Sequence, residues 1–375
     1  MLMAGIQNFP ISSPGFSAEM TMKMVGVSQT FPYPGKLRLE TRVAEFRFDA
    51  ARDQLAQTKL DVVRDVREAY YDLVFADRAL EIVQRNAGLL QSLVSVSQAQ
   101  YTTGIGTQSD VLRARTEAVR VNVDASQLTV QHRTALAQLN AVLDRASDIP
   151  VNHPAIPVRL RRAAVADSAD RVHFVSTALG APAADSPLLP LDSLQALAVV
   201  HNPQLRAQEA AIAAQSARVA LARKATLPDI NVAISYGQRQ NLSDMVSATV
   251  SIPIPLQRQR KQYAEVAAAN ADLTAFEATQ QTLANTIRAD IARRAGDIEQ
   301  ARTELALYKR AILPQAQATF ASATASYQVG RVDFTSVVDA QAAVFNYETA
   351  YWRSLTNVAK AIAELERIVG TEVLR

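Results

Sequence analysis

Apolar side chains recur at steps of three and four along Val62, Val66, Ala69, Leu73, Ala76, Leu80, Val83, Ala87, Leu90 and Val94. That spacing is the seam of a coiled coil, and its small residues let neighbouring helices approach closely. No proline interrupts the chain between Pro34 and Pro150, and no glycine between Gly35 and Gly88. The span predicts a single helix from about Leu37 to Tyr101, roughly 95 Å long at ~1.5 Å per residue. Gly104 and Gly106 break it, and a second helix is expected from about Thr107 to Leu143.

The pattern then repeats. "YTTGIGTQSDVLRAR" at Tyr101 returns as "YQVGRVDFTSVVDAQ" at Tyr327, pairing Tyr101 with Tyr327, Gly104 with Gly330, Val111 with Val337 and Ala114 with Ala340; carried on without a gap, the spacing also pairs Leu139 with Leu365. In the second copy a helix starts near Arg258 and carries Ile287, Ile291, Ile298, Ala301, Leu305, Tyr308 and Ile312 on one stripe, which Arg294 interrupts. Pro314 should kink that helix. Gly330 turns the chain, and a return helix is expected from about Phe334 to Val369.

Between the copies, residues 146–190 hold six prolines and a basic "RLRR" at Arg159, the texture of an irregular excursion with a solvated basic run. Helix resumes from Leu191 to about Thr226.

Strands are marked by a period of two. "INVAISYG" sets Ile230, Val232, Ile234 and Tyr236 against Asn231, Ala233, Ser235 and Gly237; after the turn "QNLSD", Val246, Ala248, Val250 and Ile252 alternate with Ser247, Thr249 and Ser251. One apolar and one small polar face is the pattern of a transmembrane barrel, and a one-sided soluble sheet gives it too. The first copy has its own pair, "MLMAGIQNF" and "EMTMKMVGVSQTF". Each second strand ends in two prolines spaced by two, Pro32 and Pro34 or Pro253 and Pro255. Residues i and i+2 direct their amides to one edge, so these prolines end pairing there and release the chain into a helix. Basic residues follow: Lys36, Arg38 and Arg42, then Arg258, Arg260 and Lys261. Cations near a helix N-terminus oppose the macrodipole, so compensation is expected, from lipid phosphates or from plain solvation.

Four strands cannot close a barrel, for which about eight is the lower limit. Lipid-exposed strand edges leave backbone groups unsatisfied at several kcal/mol each. Three chains with four strands apiece would close a twelve-stranded barrel, so the pattern calls for a homotrimer.

Composition removes other classes. Among 375 residues, 39 basic and 36 acidic side chains leave a net charge of +3, too small to argue for nucleic acid. Cysteine is absent and the four histidines are scattered, which leaves no thiolate site and no ligand spacing. No Ser-His-Asp set, phosphate loop or metal cluster supports an enzyme, and no cofactor is expected. No run approaches the ~18 to 20 apolar residues of a membrane helix.

Together the duplicated plan, the turns "YTTGIGTQSDVL" and "YQVGRVDFTSVVDA", and the helix "HNPQLRAQEAAIAAQSARVALARKATLPDI" resemble the TolC-like outer-membrane efflux family over essentially the whole chain. "MTMKMVGVSQTFPYPGK" is most similar to its heavy-metal efflux branch. The resemblance implies a mainly α fold with membrane β-strands, located in the outer membrane and extending into the periplasm. Three chains would form the twelve-stranded barrel and an α-helical barrel. It implies one efflux repeat over residues 1–145, an equatorial excursion over 146–190 and a second repeat over 191–375. The first repeat begins directly in a strand, without the counterpart of Leu191–Thr226 or a signal peptide, so the resemblance implies an N-terminally shortened product. The implied partners are a periplasmic adaptor and an inner-membrane resistance-nodulation-division pump or ABC exporter, with outer-membrane lipid around the barrel. A periplasmic adaptor, with one hairpin flanked by small β-domains, fits less well. A secretion duct of the same fold would look identical.

Within that resemblance the two turns are hairpin tips that dock the adaptor, through Tyr101, Gly104 and Leu112 in one and Tyr327, Gly330 and Val338 in the other. The glycines also serve as helix terminators, and the tyrosines alternatively pack the seam. Asp110 and Asp339 match tip positions that line the periplasmic entrance in the family, where a ring of carboxylates attracts cations. The competing reading is a pair of solvated helix-start acids. Met20, Met22 and Met24 suggest a thioether relay for soft Cu(I), against which stands the simpler expectation of lipid-facing apolar side chains.

Overall fold

The computed structural model describes residues 1–7, 21–152, 154–164, 188–239, 242–253 and 260–374. Met20, Pro255, Arg258 and most of the 146–190 excursion lie outside the described residues. The described elements run β1 (Leu2–Gln7), β2 (Met22–Phe31), α1 (Lys36–Thr102), α2 (Gln108–Val142), α3 (Val158–Ala164), α4 (Leu191–His201), α5 (Pro203–Lys224), β3 (Ile230–Arg239), β4 (Met245–Ser251), α6 (Gln262–Leu307), a π-turn (Tyr308–Ile312), α7 (Leu313–Gln328) and α8 (Phe334–Val369). No helix is long and apolar enough to cross a membrane among the described residues.

Two compact units form: Met1–Gln54 with Gln204–Leu283, and Leu55–Pro203 with Ala284–Arg375. Each unit draws on both sequence copies, so the spatial division cuts across the repeat.

In the first unit the strands make one antiparallel sheet in the order β1-β2-β3-β4. Register puts Leu2, Val27 and Ile234 side by side, and likewise Ala4, Val25 and Tyr236, with Val246 facing Tyr236. Paired residues share a face. This apolar face is the more exposed of the two, with Val25 at 54%, Val27 at 58% and Ile234 at 58% accessible. The opposite face carries Gly5, Met24, Gly237 and Met245 in one row and Met3, Gly26, Ser235 and Ser247 in the next. The expectation for the methionines is therefore corrected: Met22 and Met24 lie on the small-residue face, half-buried, and not with the valines. Below the sheet α5 lies against α6, where Gln208 Nε2 donates to the Phe276 carbonyl (2.9 Å) and Gln215 Nε2 to Ala269 (3.1 Å).

The second unit is built on the predicted seams. Leu73, Ala76, Ala135 and Leu139 form one buried cluster between α1 and α2. Val83, Leu90, Leu93, Ala114, Val121, Tyr327, Phe334 and Val337 form another that joins α1 and α2 to α7 and α8. The repeat pairs Val111 and Val337, Ala114 and Ala340, and Leu139 and Leu365 are buried in both copies. Along α8, ion pairs reach α1: Arg64 with Glu364 (3.4 Å), Arg367 with Asp61 (3.2 Å), Lys360 with Asp72 and Arg67 with Glu366.

Two local features differ from expectation, and a third takes a form the sequence did not specify. The helix foreseen from Leu191 to Thr226 is two helices, because Pro203 excludes the α conformation at Asn202, whose ψ is 118°. Asn202 is buried and its side-chain Nδ2 donates to the Ile368 carbonyl (2.7 Å). The "RLRR" run lies in α3, and Arg159 donates to Glu372 (2.8 Å) and to the Leu374 carbonyl (2.9 Å) instead of lying free in a loop. Pro314 does interrupt its helix, as a π-turn just upstream, where the Leu313 amide reaches back to the Tyr308 carbonyl. Proline at Pro314 clashes with the carbonyl one α-turn back, and a widened turn relieves it.

Candidate functional site

Two places carry the residues singled out from the sequence: the sheet-to-helix junction in the first unit and the paired turns in the second.

At the junction β2 ends at Phe31, immediately before Pro32, and β4 ends at Ser251, two residues before Pro253. All of these prolines but Pro255, which is not described, are exposed. Lys36 opens α1 and was expected at a membrane surface among exposed cations. It is instead buried, with its ammonium donating to Asp229 Oδ1 (2.8 Å) and to the Leu227 carbonyl (2.8 Å). The acid that offsets the macrodipole thus comes from the chain itself, just before β3, and neither lipid nor water is required at Lys36. Asp229 also accepts from the Tyr33 amide (2.8 Å), and the Lys36 and Tyr33 hydrogen bonds hold its carboxyl below the usual carboxylate range. Lys224 completes the junction, donating to the Pro34 carbonyl (2.9 Å) with its ammonium 5.9 Å from the Tyr33 ring. Gly35 has φ +88°, and a Cβ there would sit 2.5 Å from the Lys224 ammonium. Arg38, Arg42, Arg260 and Lys261 are exposed, as a surface-facing cation requires. Asp229 and Lys224 escaped the sequence reading; the signal available was an acid at the last position before a strand.

The two turns share one cap. The Gly104 amide donates to Tyr101 O (3.1 Å) and Ile105 to Gln100 O (3.0 Å); Gly330 donates to Tyr327 O (3.0 Å) and Arg331 to Ser326 O (2.9 Å). Gly104 (φ +75°) and Gly330 (φ +68°) occupy the left-handed position that closes such a cap. The turns also touch: Gln100 Nε2 donates to the Tyr327 carbonyl (2.9 Å), and Arg113 donates to Thr335 Oγ1 (2.7 Å).

The predicted tip residues divide by exposure. Tyr101 and Leu112 are exposed, together with Ile105 and Val329, which the sequence reading did not single out. Val338 is half-buried against the α1–α8 cluster. Tyr327 is only 4% accessible and packs on Phe334 at 5.3 Å between ring centres, so its side chain fills the seam and offers no docking surface. Its hydroxyl is buried without a hydrogen-bond partner, and burial, reinforced by the nearby Asp110 carboxylate, pushes its pKa up.

The two acids differ as well. Asp110 Oδ2 accepts from the Thr107 amide (3.1 Å) while Thr107 Oγ1 accepts from the Asp110 amide (3.2 Å), a reciprocal capping box at the start of α2. Asp339 is exposed on α8, one turn further from its glycine, and is not used as a cap. Among the described residues no group of three or more His, Cys, Asp or Glu side chains could hold a metal ion.

A four-stranded sheet with an exposed apolar face, feeding long helices that end in two matched turns, is the arrangement expected of one subunit of an outer-membrane duct. The description "Outer membrane efflux protein" matches residues 2–145 and 194–371. The chain belongs to the outer membrane efflux protein family. It is 21% identical over 345 residues to the cobalt-zinc-cadmium resistance protein CzcC of Cupriavidus metallidurans, covering 90% of this chain and 74% of that one. Its fold is that of the outer-membrane channels: CusC superposes with a TM-score of 0.79 at 18% identity over 99% of this chain and 82% of CusC. The outer membrane protein VceC of Vibrio cholerae gives a TM-score of 0.77 at 15% identity, covering 100% of this chain and 86% of VceC. The protein is accordingly a TolC-like outer-membrane efflux protein, mostly helical, in a family of channel components of efflux systems.

Proposed function

We propose that three copies of the chain close a twelve-stranded barrel and serve as the passive outer-membrane duct of a tripartite efflux system. The observation that carries this reading is the sheet: four described strands with β1 and β4 at its edges and an exposed apolar face. Such a sheet in lipid needs partners along both edges. In this reading the exposed ends Tyr101, Ile105, Leu112 and Val329 form the rim that receives a periplasmic adaptor, and Arg38, Arg42, Arg260 and Lys261 face lipid phosphates. The transport work belongs to an inner-membrane resistance-nodulation-division pump or ABC exporter. Metal ions are the proposed cargo, supported by the similarity to a cobalt-zinc-cadmium resistance protein.

Native mass measurement of the detergent-solubilised chain tests the assembly. Three chains per particle are expected, and a stable folded monomer would sink the reading. Asp339 is the stronger of the two proposed gate acids, because Asp110 already serves as a cap. In planar bilayers Asp339→Ala should weaken cation selectivity and block by multivalent cations, with Asp110→Ala acting in the same direction. Unchanged conductance and selectivity in the double substitution would remove both residues from the gate.

A further inference from the structure

All six methionines of the chain, Met1, Met3, Met20, Met22, Met24 and Met245, fall in or beside its strand segments, and none lies in a described helix. The register gathers several of them. Met24 faces Gly5 on β1 and Gly237 on β3, and Met245 on β4 faces Gly237 from the other side. Met22 precedes Met24 on the same face, and Met3 sits diagonally from Met24, opposite Gly26. Glycine at Gly237 leaves a shallow hollow that the thioethers fill. A Cβ built there would lie 2.9 Å from Met22 Sδ and 3.6 Å from both Met22 Cγ and Met24 Cγ.

Lipid contact does not explain this placement, because the apolar positions Val25, Val27, Ile234, Tyr236 and Val246 occupy the other face. Around Met24 that face is glycine and serine, while Met22 lies between Gln7 on β1 and Arg239 on β3, whose guanidinium is bound to the Ser243 carbonyl (2.9 Å from Nε). Packing alone would be served as well by leucine or valine, which the chain uses freely on the opposite side. What thioether sulfur adds is a soft, neutral donor. It binds Cu(I) and Ag(I), discriminates against harder divalent ions, and tolerates flexible geometry.

We infer that Met22 and Met24, packed over Gly237, together with Met245, its register partner on β4, form a binding station for soft monovalent metal cations on the small-residue face of the sheet. The inference rests on the reading of the chain as an efflux duct, in which that face lines the lumen and three such stations ring it. Neutral ligands suit a cargo that must be released: they hold the ion without the coulombic attraction of a carboxylate ring.

The test is a Cu(I) titration of the detergent-solubilised chain under reductant, against a competing chromogenic chelator, with Zn(II) as a second metal. Wild type should bind Cu(I) and leave it undisturbed by Zn(II). Met22→Leu/Met24→Leu/Met245→Leu, close to volume-conserving, should lower Cu(I) affinity by about tenfold or more. The single change Met245→Leu, on an edge strand, should weaken it in part and guards against misfolding of the triple variant. Val25→Leu/Val27→Leu/Val246→Leu on the other face should leave it unchanged. Unaltered Cu(I) binding in the folded triple variant overturns the station. Bilayer conductance of the same preparations separates the two claims. Normal conductance with unaltered binding removes the station and keeps the duct; methionine-dependent binding without conductance keeps the station and removes the duct.

Discussion

The two hairpin turns are copies in sequence and in backbone, yet their side chains do different work. Both close with a left-handed glycine and the same pair of carbonyl contacts. Tyr101 nevertheless points outward at 45% accessibility, whereas Tyr327 is buried against Phe334. Thr107 caps α2 through a reciprocal box with Asp110, whereas Asp333, in the matching place, makes no side-chain cap. A duplicated motif thus preserves what the backbone needs and lets the side chains specialise: one turn anchors, the other presents.

The largest expected effect comes from the tyrosines themselves. Tyr327→Ala empties a packed ring site and should cost about 3 kcal/mol or more. Tyr101→Ala, at the exposed equivalent, should stay within ~0.5 kcal/mol. Thermal unfolding of both variants measures the gap, and equal losses would erase the distinction between the turns.

Tyr327→Phe sharpens it. The buried hydroxyl has no partner, so removing it should stabilise the chain by about 1 to 2 kcal/mol. The phenol's raised pKa adds a pH signature. Below the ordinary tyrosine value of about 10 both states keep the proton; above it the unfolded chain ionises first, and wild type loses stability as pH rises. The phenylalanine variant lacks that loss, so its advantage should widen in melts taken above pH ~10.

The smallest contrast is at the caps. Thr107→Ala should cost about 1 kcal/mol through the lost capping box, while Asp333→Ala should cost no capping energy. Paired chemical unfolding curves would expose a hidden role for Asp333 if the two losses matched.

The sequence made the helices readable because their signals are local. A step of three and four, an absence of proline and a glycine at each end placed α1 and α8 within a residue of their observed bounds. The proline break at Asn202 was also written locally, in "HNPQ", and was overridden by the long alanine-rich run after it. What could not be read was long-range. Lys36 and Asp229 lie 193 residues apart, and no periodicity announces that one buries the other. Alternation showed that Met22 and Met24 share a face, but only the register with β3 shows that Gly237, and not Tyr236, lies beneath them. Likewise the motif "Y…G" is the same in both turns, and only packing decides which tyrosine is enclosed.

The π-turn at Tyr308–Ile312 gives the second hairpin a built-in length adjustment. A π-turn holds one residue more than the α-turn it replaces. Removing a residue elsewhere in a long helix rotates everything downstream by about 100° and turns its seam away from its neighbours. Removing one here would convert the wide turn into an ordinary one and keep the phase of Tyr327 and Gly330, at the cost of restoring the clash of Pro314 with the preceding turn. The helix therefore carries a vernier: the one described stretch of α6 and α7 where the chain can lose a residue and keep its phase.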